Sequence, residues 1–226
     1  MFPADPPSQM TRRQRREMQL TDASEPPSER GPEALRILTV CTGNICRSAL
    51  AEVLLRTELE PSGVVVHSAG THALVGSGMP PEQQRIALGR GAAAEMVDAH
   101  RAQQLVEPLV ADADLVIAMT KAHRRYAMRL VPAQLRRIFT AVEFAQLSAQ
   151  LTDEQLAAIA SSGGASQRER FDALVFALDA RRSAGTDDED IVDPYRRSAG
   201  MYEQSAQQLA PVLREVTRVV RRAVGA

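Results

Sequence analysis

The sequence predicts an α/β fold in which a four-stranded parallel sheet is flanked by helices. Short apolar runs alternate along the chain with segments of helical periodicity, the pattern of parallel strands joined by helical crossovers. The loop after the first apolar run contains glycine and asparagine and leads directly into a helical pattern. With 226 residues and 44% hydrophobic content, the chain suits one domain with extensions.

The predicted elements follow from these apolar runs and helical patterns. The predicted strands are short and apolar, and they cover residues 35–40, 64–66, 115–119 and 137–140. The predicted helices lie between or after them, and they cover residues 49–55, 82–88, 102–110, 121–130 and 198–224. The last helix is long and amphipathic, with Leu209, Val212 and Val216 on its apolar face. A glycine-rich loop over 70–78 follows the second strand.

Two segments fall outside this alternation. Residues 1–33 are rich in proline and poor in large apolar residues, so we expect a disordered N-terminal extension with a solvated arginine cluster at 12–16. A helical insertion is expected at about 144–189. It contains helical patterns over 153–160 and 166–180 and closes with an acidic run, 187–190, that is typical of a solvated loop.

Composition excludes several classes of protein. The chain has only two cysteines, so no disulfide framework is expected. No apolar run is long enough to span a membrane, and the N-terminus lacks the apolar core of a secretory signal, which predicts a cytoplasmic protein. The formal net charge of −1 gives no reason to expect nucleic-acid binding. The four histidines form no pair at metal-ligand spacing, so no metal site is expected.

Residues 41–48, with the sequence CTGNICRS, carry the predicted chemistry. An apolar strand ends at Cys41, a tight loop follows, and a helix begins near Ser48, which is how backbone N–H groups are gathered around an anion. Arg47 adds a planar fork suited to two phosphate oxygens. A cysteine in such a field should ionise readily to the nucleophilic thiolate. The sequence therefore predicts a phosphate-binding loop after the first strand, with Cys41 as a nucleophile.

This loop resembles the active-site signature of the low-molecular-weight protein tyrosine phosphatase family, which is Cys, five residues, Arg, then Ser or Thr. The resemblance extends over about residues 35–143 and 190–224. Further matching segments lie at 68–71 (SAGT), 100–105 (HRAQQL), 113–119 (ADLVIAM) and 193–195 (DPY). The implied organisation is a phosphatase domain over 34–226 that contains the insertion.

The resemblance implies a mechanism without metal or cofactor. Cys41 would attack phosphorus and form a phosphocysteine, while Arg47 and the loop N–H groups bind the phosphoryl oxygens. Asp193 would protonate the leaving oxygen and then activate water. From spacing alone, Asp193 is a turn residue before proline, so its role depends on the resemblance. The implied substrate-binding residues lie in or beside the loop, and they are Thr42, Gly43, Asn44, Ile45, Cys46, Ser48, Leu74 and Tyr195.

Four of these residues have distinct implied roles. Ser48 would donate a hydrogen bond that holds the thiolate, and Asn44 would brace the loop. Leu74 and Tyr195 would flank the phenol ring of the substrate. Segments 73–76 and 193–198 look like the branch encoded beside bacterial capsule and exopolysaccharide genes. The implied partner is a phosphotyrosine protein, with a bacterial tyrosine autokinase of polysaccharide export as the candidate.

Three alternatives remain open from the sequence. An arsenate reductase that uses an external thiol needs only Cys41 on the same fold. A protein arginine phosphatase resembles this chain but has Thr where this chain has Ile45, which we place at the edge of the loop. A non-catalytic phosphate-binding module is the third alternative, and the presence of Cys41, Arg47 and Asp193 argues against it.

Cys46 suggests redox control. It lies five positions after Cys41 in the same loop, so the two sulfurs could come within disulfide range. A sulfenic acid at Cys41 could then be captured by Cys46 and released by cellular thiols. The alternative is that Cys46 is a small packing residue.

Overall fold

The structure is a computed structural model that describes residues 34–182 and 190–225. The N-terminal extension expected over 1–33, with its arginine cluster, lies outside the described residues. So do residues 183–189, which include most of the acidic run.

A four-stranded, all-parallel sheet forms the centre of the fold, with the strand order β2-β1-β3-β4. Its strands are β1 Arg36–Cys41, β2 Val65–Gly70, β3 Leu115–Ala118 and β4 Ile138–Thr140. β1 is central and pairs with β2 along its whole length, from Arg36 opposite Val65 to Cys41 opposite Gly70. The predicted fold class is confirmed, and the continuous apolar character of β1 and β3 follows from burial on both faces of the sheet.

The helices lie on both faces of this sheet. In chain order they are α1 Arg47–Leu59, α2 Pro81–Gly89, α3 Ala94–Ala99, α4 Glu107–Ala111, α5 Lys121–Leu130, α6 Ala141–Ala149, α7 Asp153–Gly163, α8 Gln167–Asp179 and α9 Ala199–Val224. Short 3₁₀ turns cover Glu60–Ser62 and Pro132–Arg137. Among the described residues, no helix is both long enough and apolar enough to cross a bilayer.

Alternation along β1 separates two apolar clusters. Ile37 and Cys41 belong to the larger cluster, which includes residues of α1, α6, α8 and α9. Leu38 and Val40 belong to the smaller cluster, which includes residues of α4 and α5. Successive side chains of a strand point to opposite faces, so the two clusters lie on the two sides of the sheet.

The prediction of a helix over 102–110 is wrong for most of that range. Only α4 is helical there, and it begins at Glu107, where Pro108 suits a first helical turn. The preceding residues run beside the end of β2, where the Gly70 amide donates to the Gln103 carbonyl and the Leu105 amide donates to the Gly70 carbonyl. This pairing with distant backbone takes the hydrogen bonds that a helix would need.

Helices α7 and α8 occupy the helical patterns predicted over 153–160 and 166–180. Each begins with a capping box, formed by Thr152 with Gln155 and by Ser166 with Glu169. That the region is an insertion stays a prediction.

Helix α8 is joined to the amino ends of the strands by ion pairs. Arg168 contacts the buried Asp114 at 2.5 Å, and Arg137 contacts Asp172 at 2.6 Å. Asp114 in turn accepts a hydrogen bond from the Arg36 amide at the start of β1.

Candidate active site

The loop over 41–46 lies at the carboxyl end of the central strand. Its neighbours β2 and β3 lie on opposite sides of β1, so this end is the switch point where open α/β sheets bind ligands. Asn44 turns the loop with a left-handed backbone, φ +56°, a conformation that asparagine tolerates. Arg47 then begins α1, and the loop therefore leads into a helix N-terminus.

The sulfur of Cys41 receives hydrogen bonds from the loop and from the first turn of α1. The Asn44 amide donates to Sγ at 3.3 Å, and Ser48 Oγ lies 3.0 Å from the same sulfur. Because Ser48 Oγ accepts from Asn44 Nδ2 at 3.0 Å, its own hydrogen is available for the sulfur. Donors arranged around a sulfur stabilise the thiolate form.

A set of buried side chains, here called the inner network, fixes Asn44 by hydrogen bonds. Its members are Asn44, Ser68, Glu52 and His100. Asn44 Nδ2 donates to Ser68 Oγ at 2.6 Å, and Ser68 donates to Glu52. His100 bridges the same carboxylate, at 3.0 Å from Nδ1, to the Asn44 carbonyl, at 2.8 Å from Nε2. Since a carbonyl only accepts, His100 Nε2 carries a hydrogen. Glu52 and the role of His100 were missed from the sequence, where no local pattern links residues so far apart.

A second set of side chains, here called the outer contact, connects the loop to α5. Its members are Thr42, Thr120 and His123. Thr42 Oγ1 lies 2.8 Å from His123 Nε2, and Thr120 Oγ1 lies 2.9 Å from His123 Nδ1. Thr120 also caps α5 by accepting from the His123 amide. Burial, with a contribution from Arg47, lowers the pKa of His123 to about 4. The imidazole is therefore neutral near pH 7 and links the loop to α5 without adding charge.

Arg47 joins the loop to the segment that carries Asp193. Its guanidinium pairs with Asp193 at 2.8 Å and donates to the Ile191 carbonyl at 3.1 Å. Its Nε is buried and has no hydrogen-bond partner within the described part of the chain. A buried guanidinium donor at the mouth of an anion-binding loop suits a phosphate oxygen. Asp193 itself is half exposed and accepts from the Tyr195 amide at 3.2 Å.

The rim of the site contains the apolar residues that the sequence predicts beside it. Residues 71–74 follow the loop edge, where the Leu74 amide donates to the Gly43 carbonyl at 3.0 Å. Leu74 is 41% exposed and Tyr195 is 37% exposed. Side chains of this kind can contact an aromatic ring.

Ile45 and Cys46 differ from the other predicted loop residues. The side chain of Ile45 is 5% exposed and packs in the larger apolar cluster, so its contact with a substrate stays a prediction. Cys46 is also buried, and burial followed by the charge of Cys41 raises its pKa to about 12. A hydrogen bond from the Tyr202 hydroxyl to the Cys46 sulfur acts in the opposite direction and lowers that pKa. Both cysteines are free thiols.

Among residues 34–182 and 190–225, no group of three or more His, Cys, Asp or Glu side chains is arranged to hold a metal ion. The polar groups that converge on the loop are instead hydrogen-bond donors from Asn44, Ser48 and Arg47. Such an arrangement can bind a phosphoryl group and present a sulfur nucleophile to it.

Comparison with known proteins agrees with this geometry. The sequence profile described as "Low molecular weight phosphotyrosine protein phosphatase" matches residues 36–153. A relative from Ralstonia nicotianae, named "Probable low molecular weight protein-tyrosine-phosphatase EpsP", is 40% identical over 110 residues, covering 49% of this chain and 72% of the relative. A "Protein-arginine-phosphatase" from Geobacillus stearothermophilus is 38% identical over 109 residues, covering 48% of this chain and 70% of the relative.

Solved structures give the same result. The tyrosine phosphatase Wzb from Escherichia coli K30, crystallised in complex with sulphate, matches with a TM-score of 0.55 and 25% identity. The match covers 80% of this chain and 92% of Wzb. The family profile matches more than half of the chain, and the Ralstonia relative is similar over most of its own length. This chain therefore belongs to the low-molecular-weight phosphotyrosine protein phosphatase family.

Proposed function

We propose that this protein hydrolyses phosphotyrosine in proteins through a phosphocysteine intermediate. The observation that carries the proposal is the surrounding of Cys41, whose sulfur lies in contact with the Asn44 amide and the Ser48 hydroxyl. Beside it, Arg47 has a buried Nε with no partner in the described residues. Together these groups provide a nucleophile and a phosphate-binding donor.

The proposed reaction has two steps. In the first, Cys41 Sγ attacks phosphorus, the bond from phosphorus to the tyrosine oxygen breaks, and Asp193 gives that oxygen a proton. In the second, water attacks phosphorus, Asp193 takes a proton from the water, and the S–P bond breaks to regenerate the thiolate. Arg47 and the amides of 42–46 bind the phosphoryl oxygens in both transition states.

The substrate class rests on the rim of the site. Leu74 and Tyr195 are partly exposed apolar side chains, suited to flank a phenol ring. The candidate partner is a bacterial tyrosine autokinase of polysaccharide export, because segments 73–76 and 193–198 resemble the branch encoded beside capsule and exopolysaccharide genes. We further propose a cytoplasmic location and one phosphatase domain over 34–226 with a helical insertion at about 144–189.

Protein arginine phosphatase activity is the second candidate. It is favoured by the Geobacillus stearothermophilus relative of that name, which is 38% identical. Because little of the Ile45 side chain is exposed, its identity is a weak reason to exclude phosphoarginine.

One experiment tests both candidates. Peptides of a single sequence carrying phosphotyrosine, phosphoarginine or phosphoserine are compared by kcat/KM, with Cys41→Ser as the inactive control. We expect phosphotyrosine to exceed the other two by about tenfold or more, and mass spectrometry of acid-quenched wild-type enzyme to detect phosphate on Cys41. Equal values for phosphotyrosine and phosphoarginine would support the second candidate, and turnover by Cys41→Ser near the wild-type rate would refute the mechanism.

A further inference from the structure

Asp190 ends the acidic run 187–190, which the sequence predicts as a solvated loop. Its side chain is exposed, yet its Oδ1 accepts a hydrogen bond of 2.8 Å from the backbone amide of Lys121. Lys121 is the first residue of α5, so Asp190 caps a helix that is distant in sequence.

The cap satisfies a specific need of α5. The first amides of a helix have no partner inside the helix. Thr120 accepts from the His123 amide, and Asp190 accepts from the Lys121 amide. The negative charge of Asp190 also lies at the positive end of the helix dipole.

Each residue between Asp190 and Asp193 forms backbone hydrogen bonds to another part of the fold. The Ile191 amide donates to the Met119 carbonyl at 3.0 Å, and the Ile191 carbonyl accepts from Arg47 at 3.1 Å. The Val192 amide donates to Gln208 Oε1 at 2.9 Å. Asp190 is thus the first contact in a continuous set that ends with Asp193 against Arg47.

The same helix turn also holds the nucleophile loop. His123 lies in the first turn of α5 and contacts Thr42, the residue after Cys41. The first turn of α5 is therefore a common anchor, contacted by Asp190 from one side and by the nucleophile loop from the other.

We propose that Asp190 is a positioning residue for Asp193. By capping α5 it fixes the direction in which the chain enters residues 191–193, and so sets the Asp193 carboxyl relative to the leaving oxygen. This inference rests on the proposed function, because it assigns Asp190 an effect on proton donation by Asp193.

The test separates positioning from general stability. In Asp190→Ala the cap acceptor is lost, whereas Asp190→Asn keeps an oxygen that can accept from Lys121. Because small displacements of a catalytic group slow a reaction strongly, we expect Asp190→Ala to lower kcat/KM, which reports only the steps up to phosphocysteine formation, about tenfold for aryl phosphates with poor leaving groups. For activated aryl phosphates we expect a change below about twofold, since they need little proton donation. Asp190→Asn should stay near wild type, as should the matched control Asp98→Ala at another exposed aspartate.

Two further measurements fix the interpretation. In an Asp193→Asn background, Asp190→Ala should cause no additional loss, because residues that act through one group are not additive. Hydrogen exchange at the Lys121 amide should accelerate in Asp190→Ala and not in Asp190→Asn. The inference would be overturned if Asp190→Ala slowed substrates with good and poor leaving groups equally, or if its loss added to that of Asp193→Asn. It would also be overturned if Asp190→Asn were as slow as Asp190→Ala. An inactive wild-type enzyme would overturn the proposed function instead, and a Lys121 amide unchanged in Asp190→Ala would overturn the cap itself.

Discussion

The nucleophile loop and the segment carrying Asp193 meet at Arg47, but they are held in different ways. The loop rests on the buried inner network, in which Asn44, Glu52 and His100 satisfy one another without any ligand. Asp193 is half exposed, and its carboxylate pairs with the guanidinium that a phosphate would also bind. The comparison suggests a preorganised nucleophile and a proton donor whose contacts must rearrange when substrate arrives.

The largest effect is expected from a substitution that removes the proton donor and leaves the loop intact. Asp193→Asn should lower kcat/KM, which covers only the steps up to phosphocysteine formation, about 100-fold for aryl phosphates with poor leaving groups and far less for activated ones. Vanadate binding should change little, because Arg47 and the loop remain. A series of aryl phosphates with different leaving-group pKa values measures this, and an equal loss across the series would point to structural damage.

The inner network is expected to contribute to stability as well as to activity. His100→Ala leaves the buried Glu52 carboxylate and the Asn44 carbonyl without their imidazole partner. Leaving a buried hydrogen-bonding group without its partner costs roughly 1–3 kcal/mol, so urea unfolding should show a loss of at least that size. His72→Ala, at an exposed histidine, is the matched control. A loss below about 1 kcal/mol in His100→Ala would contradict a preorganised loop.

The outer contact predicts a pH effect on stability. The folded protein holds the pKa of His123 at about 4, below the ordinary 6.5. Between these values the unfolded chain binds a proton that the folded chain does not, so stability falls as pH falls from about 6.5 and levels off near pH 4. Since one pKa unit corresponds to about 1.4 kcal/mol, the full loss is roughly 3 kcal/mol. Urea unfolding across this range should show that the free energy of unfolding depends less steeply on pH in His123→Asn than in wild type. Equal pH dependence in the two proteins would contradict a lowered pKa of His123.

The smallest effect concerns Cys46, because its buried thiol has a pKa of about 12. Only about one thiol in 10⁵ is ionised at pH 7, so capture of an oxidised Cys41 should be slow there and faster at higher pH. After peroxide and then a dithiol, we expect wild type to regain several-fold more activity than Cys46→Ala. Tyr202→Phe should regain less than wild type, because the hydroxyl that favours the thiolate is gone. Equal recovery of wild type and Cys46→Ala would mean that Cys46 only packs.

The sequence was most informative where the signal is local. Apolar runs predicted the strands, and the spacing of Cys41 and Arg47 after β1 predicted the loop because strand, turn and helix are consecutive. The prediction of a helix over 102–110 failed because backbone groups of that segment pair with Gly70 at the end of β2. His100 and His123 could not be assigned, since their partners lie 56 and 81 positions away in the chain. The roles of the site residues and the insertion stay predictions.

Asp114 bears on whether the helices after α6 could be removed to make a minimal enzyme. Burial raises the pKa of this carboxyl, while the Arg36 amide and the Arg168 guanidinium lower it. Excising α8 would delete Arg168 and leave a buried acid with fewer partners beneath the strand that ends at Cys41. A shortened version would keep only the Arg36 amide and the more distant Arg137 as partners of Asp114, so we expect its sheet to be less stable than that of the full chain.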